Sequence, residues 1–166
     1  SDGKGAYAYL PALFIYGDGD FEKSLESERK YSGQNFNPQY LYKNDQGKIY
    51  NKFFPGVAVL QLPFFSIACL FSWITESPID GYSSVFQFCF YLGSIFYTLV
   101  GLVFFAKSLR LYFPDHVKTI QWLVPVFYIT TPILFYSLEV HSFGHLYSFV
   151  LFGAFSLLIQ KTEVSQ

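Results

Sequence analysis

Long stretches without a single acidic or basic side chain constrain this chain more than any other feature. None occurs between Lys52 and Glu76, between Asp80 and Lys107, or between Lys118 and Glu139. From Glu139 to Lys161 only His141 and His145 can take up a charge. A helix of about 20 apolar residues, at about 1.5 Å rise per residue, matches the ~30 Å hydrocarbon core of a bilayer. Elements of a water-soluble domain alternate apolar with polar positions, and these runs do not. The sequence therefore reads as an all-α membrane protein, a polytopic helical bundle with apolar segments at about 53–75, 84–106, 119–138 and 143–160.

Composition points the same way. Only 14% of residues are charged and 52% are hydrophobic, where a soluble domain carries about 25% charged residues. Tyrosines gather near segment ends, as in the aromatic belts of membrane interfaces. A net charge of −1 leaves no basic footprint for nucleic acid. Cys69 and Cys89 both sit inside apolar runs and read as packing residues, with neither a disulfide framework nor zinc spacing. The chain opens on the polar SDGKGAYAY without Met or a signal peptide. The expectation is a piece of a longer protein, with a membrane helix before Ser1.

Residues 1–52 form the polar head, expected as an extracytoplasmic loop with short interfacial helices, and residues 53–166 the transmembrane region. Within the head, GAYAYLPALFIY (5–16) is apolar and aromatic but too short to span, and Pro11 interrupts it. Gly17-Asp18-Gly19-Asp20 reads as a turn, Phe21–Arg29 as a charged helix and the remainder as loop, with no core of its own. Pro63 is expected to break or kink the first apolar segment. The connection KSLRLYFPDHVK (107–118) holds the densest basic cluster near any span, which places it in the cytoplasm. Its three cations, Lys107, Arg110 and Lys118, read as topological only. Segment 84–106 then runs inward and 119–138 outward, so Glu139–His145 surfaces outside. Pro55, Pro63, Gln61 and the absence of Lys or Arg in TESPIDGYSS favour segment 53–75 lying in the interface or re-entering. Head and Glu139–His145 would then share the outer face.

Several residues invite a chemical reading, each beside a plainer one. Glu139, His141 and His145 are acidic or imidazole groups in otherwise apolar chain, and such groups at membrane depth tend to mark sites. His141 and His145, at i and i+4, share a helical face suited to a metal or a phosphate; a short polar loop reaching the headgroups explains them equally well. Lys52, after Tyr50 and Asn51, suits a lipid phosphate or a snorkelling anchor. Asp2 suits a general base or an ordinary helix cap. Lys4 offers a point charge for a phosphate or a solvated surface lysine. Tyr7 and Tyr9 suit stacking on a sugar or interfacial anchoring. Asp18 and Asp20 lack further oxygen ligands and read as a solvated turn, so no metal site is assigned.

Three pieces together resemble the GT-C superfamily of integral-membrane glycosyltransferases, which includes protein mannosyltransferases and aminoarabinose transferases. They are SDGKGAYAYLPALFIYGDGDF, similar to the head of the family's first external loop, NKFFPGVAVLQLPFF, similar to the apolar helix that follows, and TTPILFYSLEVHSFGHLYSFVLFGAF, similar to a second polar motif between helices. They cover most of the chain in the family's order, and the nearest flavour is that of its bacterial membrane proteins. The resemblance implies a polyprenyl-phosphate-linked sugar as donor, an external active site in the bacterial inner membrane, and an acid of the first loop as catalytic base, here Asp2. It implies substrate- or lipid-phosphate-binding roles for Lys4, Tyr7, Tyr9, Lys52, Glu139, His141 and His145. His145 occupies the second motif, where the family often has an acid, so a phosphate or sugar contact suits it better than a metal. No cofactor beyond the donor is implied, and a divalent metal is left open. Family members are several hundred residues long, with a helix before the catalytic loop. The competing expectation is a non-enzymatic polytopic membrane protein, a transporter fragment or an assembly subunit. It predicts internal repeats or broken helices around a midplane site, and the sequence shows no convincing repeat.

Overall fold

The computed structural model describes the chain except Ser1, Asp18, Asp20, residues 33–35, Asn37, residues 140–143 and residues 165–166, and except the side chains of Asp2, Glu163 and Val164. The apolar-aromatic start folds as two short helices, α1 (Asp2–Tyr7) and α2 (Tyr9–Phe14). The break at Ala8 follows from Pro11, which has no N–H to offer the Tyr7 carbonyl one turn earlier. Helix α3 (Glu22–Ser32) is the expected charged helix and turns Ser24, Ser27 and Glu28 inward.

The rest of the head departs from the expected loop. Strands β1 (Leu41–Lys43) and β2 (Ile49–Asn51) pair antiparallel with Tyr42 opposite Tyr50. The Asn44 side chain accepts the N–H groups of Gln46 and Lys48 at 3.1 and 2.9 Å, and Gly47 takes the left-handed φ of 81° that closes the turn. The stacked Tyr42–Tyr50 rings, 5.6 Å apart, supply the cross-strand pair. The head also has a core, contrary to expectation: Ala8, Ala12, Phe21 and Tyr40 are buried together. Two alanines, Ala8 and Ala12, let the rings of Phe21, just before α3, and Tyr40, just before β1, close over them.

Helix α4 (Gly56–Ile74) buries Ala58, Gln61, Phe65, Ala68 and Ser72, a stripe spaced three and four residues apart along one face. Pro63 lies inside α4 and does not end it. It sits off that stripe and removes one donor, a loss that apolar membrane helices tolerate. Helix α5 (Ser84–Tyr112) begins where Asp80 Oδ1 accepts the N–H groups of Tyr82 and Ser83 at 2.9 and 2.8 Å. The helices α4 and α5 approach closely at Gly93, where a Cβ would stand 2.4 Å from Gln61 Oε1 and 2.8 Å from Phe64.

The chain clusters into two compact units, residues 1–93 and 94–166. The division falls inside α5 and not at Lys52, because the head packs on α4 and on the start of α5. The second unit continues α5 through a short 3₁₀ turn (Pro114–His116) into α6 (Val117–Thr130), α7 (Pro132–Leu138) and α8 (Gly144–Val164). Thr131, extended at φ −105° and ψ 160°, separates α6 from α7, as expected of a residue before proline. The two helices bend by 66° there. The remainder of α5 meets α8 through Ser94 Oγ and Tyr147 OH, 3.1 Å apart, and at Gly101, where a Cβ would lie 2.6 Å from the Phe149 ring.

Among the described residues two helices, α4 and α5, are long and apolar enough to cross a membrane, and three spans result if the bent α6–α7 pair counts as one. Their surfaces are inverted relative to a soluble protein. Gln61, Ser72, Ser94 and Thr98 are buried, while Trp73, Phe88, Trp122 and Phe152 face outward. Polar groups inward and large apolar groups outward are what a hydrocarbon solvent selects.

Candidate functional site

The polar head is mounted on the membrane-length helices by tyrosine. Tyr7 donates its hydroxyl to the Gly81 carbonyl at 2.6 Å, Tyr16 to that of Asp80 at 3.0 Å, and Tyr9 to that of Phe53 at 2.7 Å. Tyr31 also donates to the Asp80 carboxylate. Residues 80 and 81 follow α4 and Phe53 precedes it, so α1–α2 hold both flanks of α4. The Tyr7 ring is enclosed edge-on by Phe65, Tyr82 and Phe90, with centroids 4.8 to 6.2 Å away. The small residues of GKGAYA make this fit possible. A Cβ on Gly5 would stand 2.4 Å from the Phe53 ring and 2.7 Å from Tyr40 Cβ, and Asn51 Nδ2 donates to the Gly5 carbonyl at 2.6 Å.

Against α1 stands a buried carboxylate. Glu28 is 4% exposed. It accepts a hydrogen bond from the Tyr40 hydroxyl, and its other oxygen lies 3.7 Å from Lys4 Nζ. One turn earlier on α3, Ser24 Oγ and Tyr82 OH are 2.7 Å apart. Burial raises the Tyr40 phenol far above its ordinary value, with the Glu28 charge and the hydrogen bond to it adding to the rise. Tyr82 is raised by burial too, against the lowering effect of its Ser24 hydrogen bond, and burial likewise raises Tyr7. All three remain protonated, so each keeps its proton to donate.

Lys4 differs from these enclosed groups. Its side chain is 55% exposed, although its ammonium leans on a nearly enclosed carboxylate. A cation held on one side and open on the other keeps N–H donors with which it can receive an anion.

The other expected residues fall as follows. Asp2 begins α1, two residues before Lys4. Tyr7 and Tyr9 carry the head on their hydroxyls. Lys52 is exposed, with its backbone N–H bonded to the Tyr40 carbonyl at 2.9 Å. In the second unit Glu139 is exposed at the end of α7, its N–H bonded to the Phe135 carbonyl. His145 is exposed in the first turn of α8, its ring 5.8 Å from that of Tyr136. His141, like Asp18 and Asp20, lies outside the described residues. Lys4, Tyr7, Tyr9 and Lys52 thus belong to one unit and Glu139 and His145 to the other.

Glu28, Tyr40, Tyr82 and Asp80 escaped the sequence reading. The available signal was Ser24-x-x-Ser27-Glu28, a small polar face that lets a helix approach closely, hidden among exposed charges. Among the described residues no three His, Cys, Asp or Glu side chains gather as a metal site. No protein-family model matches the sequence, and no curated protein or solved structure is significantly similar to the chain.

Proposed function

We propose that this chain is part of a GT-C-type glycosyltransferase that moves a sugar from a polyprenyl-phosphate donor to an acceptor at the extracytoplasmic membrane face. The observation that supports it most is the role of the segment carrying the resemblance. DGKGAYAYLPALF, residues 2–14 of that segment, is a packed pair of helices seated on α4 and the α4–α5 connection, with Lys4 held by Glu28 and open to solvent. A segment serving only as a tether would not need Gly5 under Phe53 and Tyr40.

In this reading Asp2 takes the proton of the acceptor hydroxyl. The acceptor oxygen bonds to the anomeric carbon, the bond from that carbon to the phosphate oxygen breaks, and polyprenyl phosphate leaves with the electron pair. Lys4 stabilises the charge that grows on the leaving phosphate. Glu28 positions Lys4 and does not touch substrate. The tethers of α1–α2 to Phe53 and Gly81 support α4 as a helix with both flanks on the head's side of the membrane.

The test is sugar transfer by the full-length protein in membranes. Asp2→Asn is expected to abolish transfer with expression and insertion unchanged, and Lys4→Ala to weaken donor binding. Full transfer by Asp2→Asn would sink the catalytic assignment. The enclosure of Glu28 favours a second reading, a non-enzymatic membrane subunit, because the best-defined carboxylate of the head is a structural tie. Under that reading neither substitution alters any binding of a polyprenyl-phosphate sugar.

A further inference from the structure

The second unit holds a groove between α5 and α8 that joins three cations to an apolar floor. Phe104, Lys107, Arg110 and Leu111 line it from α5, and Ala154, Leu157, Leu158 and Lys161 from α8, around a volume of about 600 Å³. On each helix the lining residues recur at three- and four-residue spacing, so two facing stripes build it. Lys107, Arg110 and Lys161 are exposed, and among the described residues no acidic side chain lines the groove and none of the three cations forms an ion pair.

The depth of the groove is set by the sequence. Lys107 is the first charge after the uncharged run of α5, and Lys161 the first Lys or Arg in α8. An apolar run of this length fills the ~30 Å hydrocarbon core, which leaves the charges that end it at the level of the phospholipid phosphates. Phe104, Ala154, Leu157 and Leu158 lie on the hydrocarbon side of those charges. Cations at phosphate depth above an apolar channel match a molecule with an anionic phosphodiester head and an acyl tail.

We infer that the α5–α8 groove binds an anionic phospholipid, its phosphate among Lys107, Arg110 and Lys161 and an acyl chain along Phe104, Ala154 and Leu157. The site shares no residue with those assigned to sugar transfer and does not depend on that assignment. A neutral zwitterionic lipid gains little here, since the three cations meet no net negative charge. Free phosphate lacks the tail that the floor would cover.

The full chain, purified and placed in nanodiscs of mixed phosphatidylglycerol and phosphatidylcholine, provides the test, with native mass spectrometry counting retained lipids. Wild type is expected to retain phosphatidylglycerol over phosphatidylcholine. The triple variant Lys107→Gln/Arg110→Gln/Lys161→Gln is expected to lose at least tenfold in retention, since each cation near an anionic leaflet contributes about fivefold. Lys118→Gln, a basic residue that does not line the groove, is expected to bind as wild type. Ala154→Phe keeps every charge but fills the floor, and is expected to lose retention as well. Added inorganic phosphate is expected not to displace the lipid. Equal retention of the two lipids, equal loss in Lys118→Gln, full retention in Ala154→Phe, or displacement by inorganic phosphate would each overturn the inference. Circular dichroism of each variant separates loss of lipid from loss of fold, and a misfolded triple variant leaves the decision to Ala154→Phe.

Discussion

Cutting the Glu28–Tyr40 tie is the sharpest test of how the head is held. Both partners are 4% exposed, so neither can turn to water when the other is removed. Glu28→Ala strands a buried phenol donor, at a cost of about 1–3 kcal/mol. It also releases Lys4, which adds less than about 1 kcal/mol because that side chain is half in water. Tyr40→Phe strands a carboxylate that keeps only Lys4, and loss of a hydrogen bond to a charged group costs about 1.5–3 kcal/mol. The double variant removes donor and acceptor together, so its cost should fall short of the sum of the singles by at least about 1 kcal/mol. Glu28→Gln keeps an acceptor oxygen and should cost about 1 kcal/mol, less than Glu28→Ala. The assay is limited trypsin digestion of the membrane-reconstituted protein, since α3 exposes Lys23, Arg29 and Lys30 and cleavage follows the opening equilibrium when reclosing is fast. Additive single effects, or a Glu28→Ala cost below about 0.5 kcal/mol, would refute the claim that this pair couples α3 to the hairpin.

Three further outcomes follow from particular contacts. Tyr40 and Tyr82 are raised in the folded head, chiefly by burial. Their contribution to stability is therefore complete below the unfolded phenol value of about 10 and is lost as pH rises above it. Alkaline titration followed by phenolate absorbance should show a late, cooperative rise as the head opens, and Tyr40→Phe should shift its midpoint; an unshifted midpoint would remove Tyr40 from the explanation. Gly101→Leu would drive a side chain into Phe149 and should cost about 1–3 kcal/mol of α5–α8 packing, read as a lower unfolding temperature in detergent. Finally, in a background with both native cysteines replaced by serine, Lys52→Cys and Glu76→Cys should label from one side of the membrane and Lys118→Cys from the other. Labelling of the first two from opposite sides would show that α4 crosses.

The helices were legible where physics is local. Uncharged length sets α4 and α5, whereas segment 119–138, expected as one span, is broken at Thr131 before Pro132 into α6 and α7. Pro63 was misleading because it lies off the buried stripe of α4 and costs one donor, a loss that apolar membrane helices tolerate. The hairpin was hidden because Asn44-Asp45-Gln46-Gly47 reads as loop until the strands around it are known to be short and paired through tyrosines. Glu28 was illegible for a different reason. A glutamate among Lys23, Glu26, Arg29 and Lys30 has the ordinary signature of a solvated face. Only the tertiary approach of Lys4 and Tyr40 makes it a buried, partnered side chain.

The same contrast bears on what the head can do. Five tyrosines, Tyr7, Tyr9, Tyr16, Tyr31 and Tyr40, spend their hydroxyls on the chain itself. Their donor protons are thereby committed to holding the head together and to α4's flanks. What the fold leaves open is charge. Lys4 is anchored by Glu28 at one edge and faces water at the other, with Asp2 two residues before it on the same short helix. In the proposed reaction a cation held by a buried carboxylate would meet the departing phosphate, because preorganised charge is usually the largest single contribution to such a step. If Glu28→Gln lowered donor affinity while the head stayed closed to trypsin, Glu28 would be positioning Lys4 for the phosphate. If affinity fell only in step with opening, the tie would serve the fold alone.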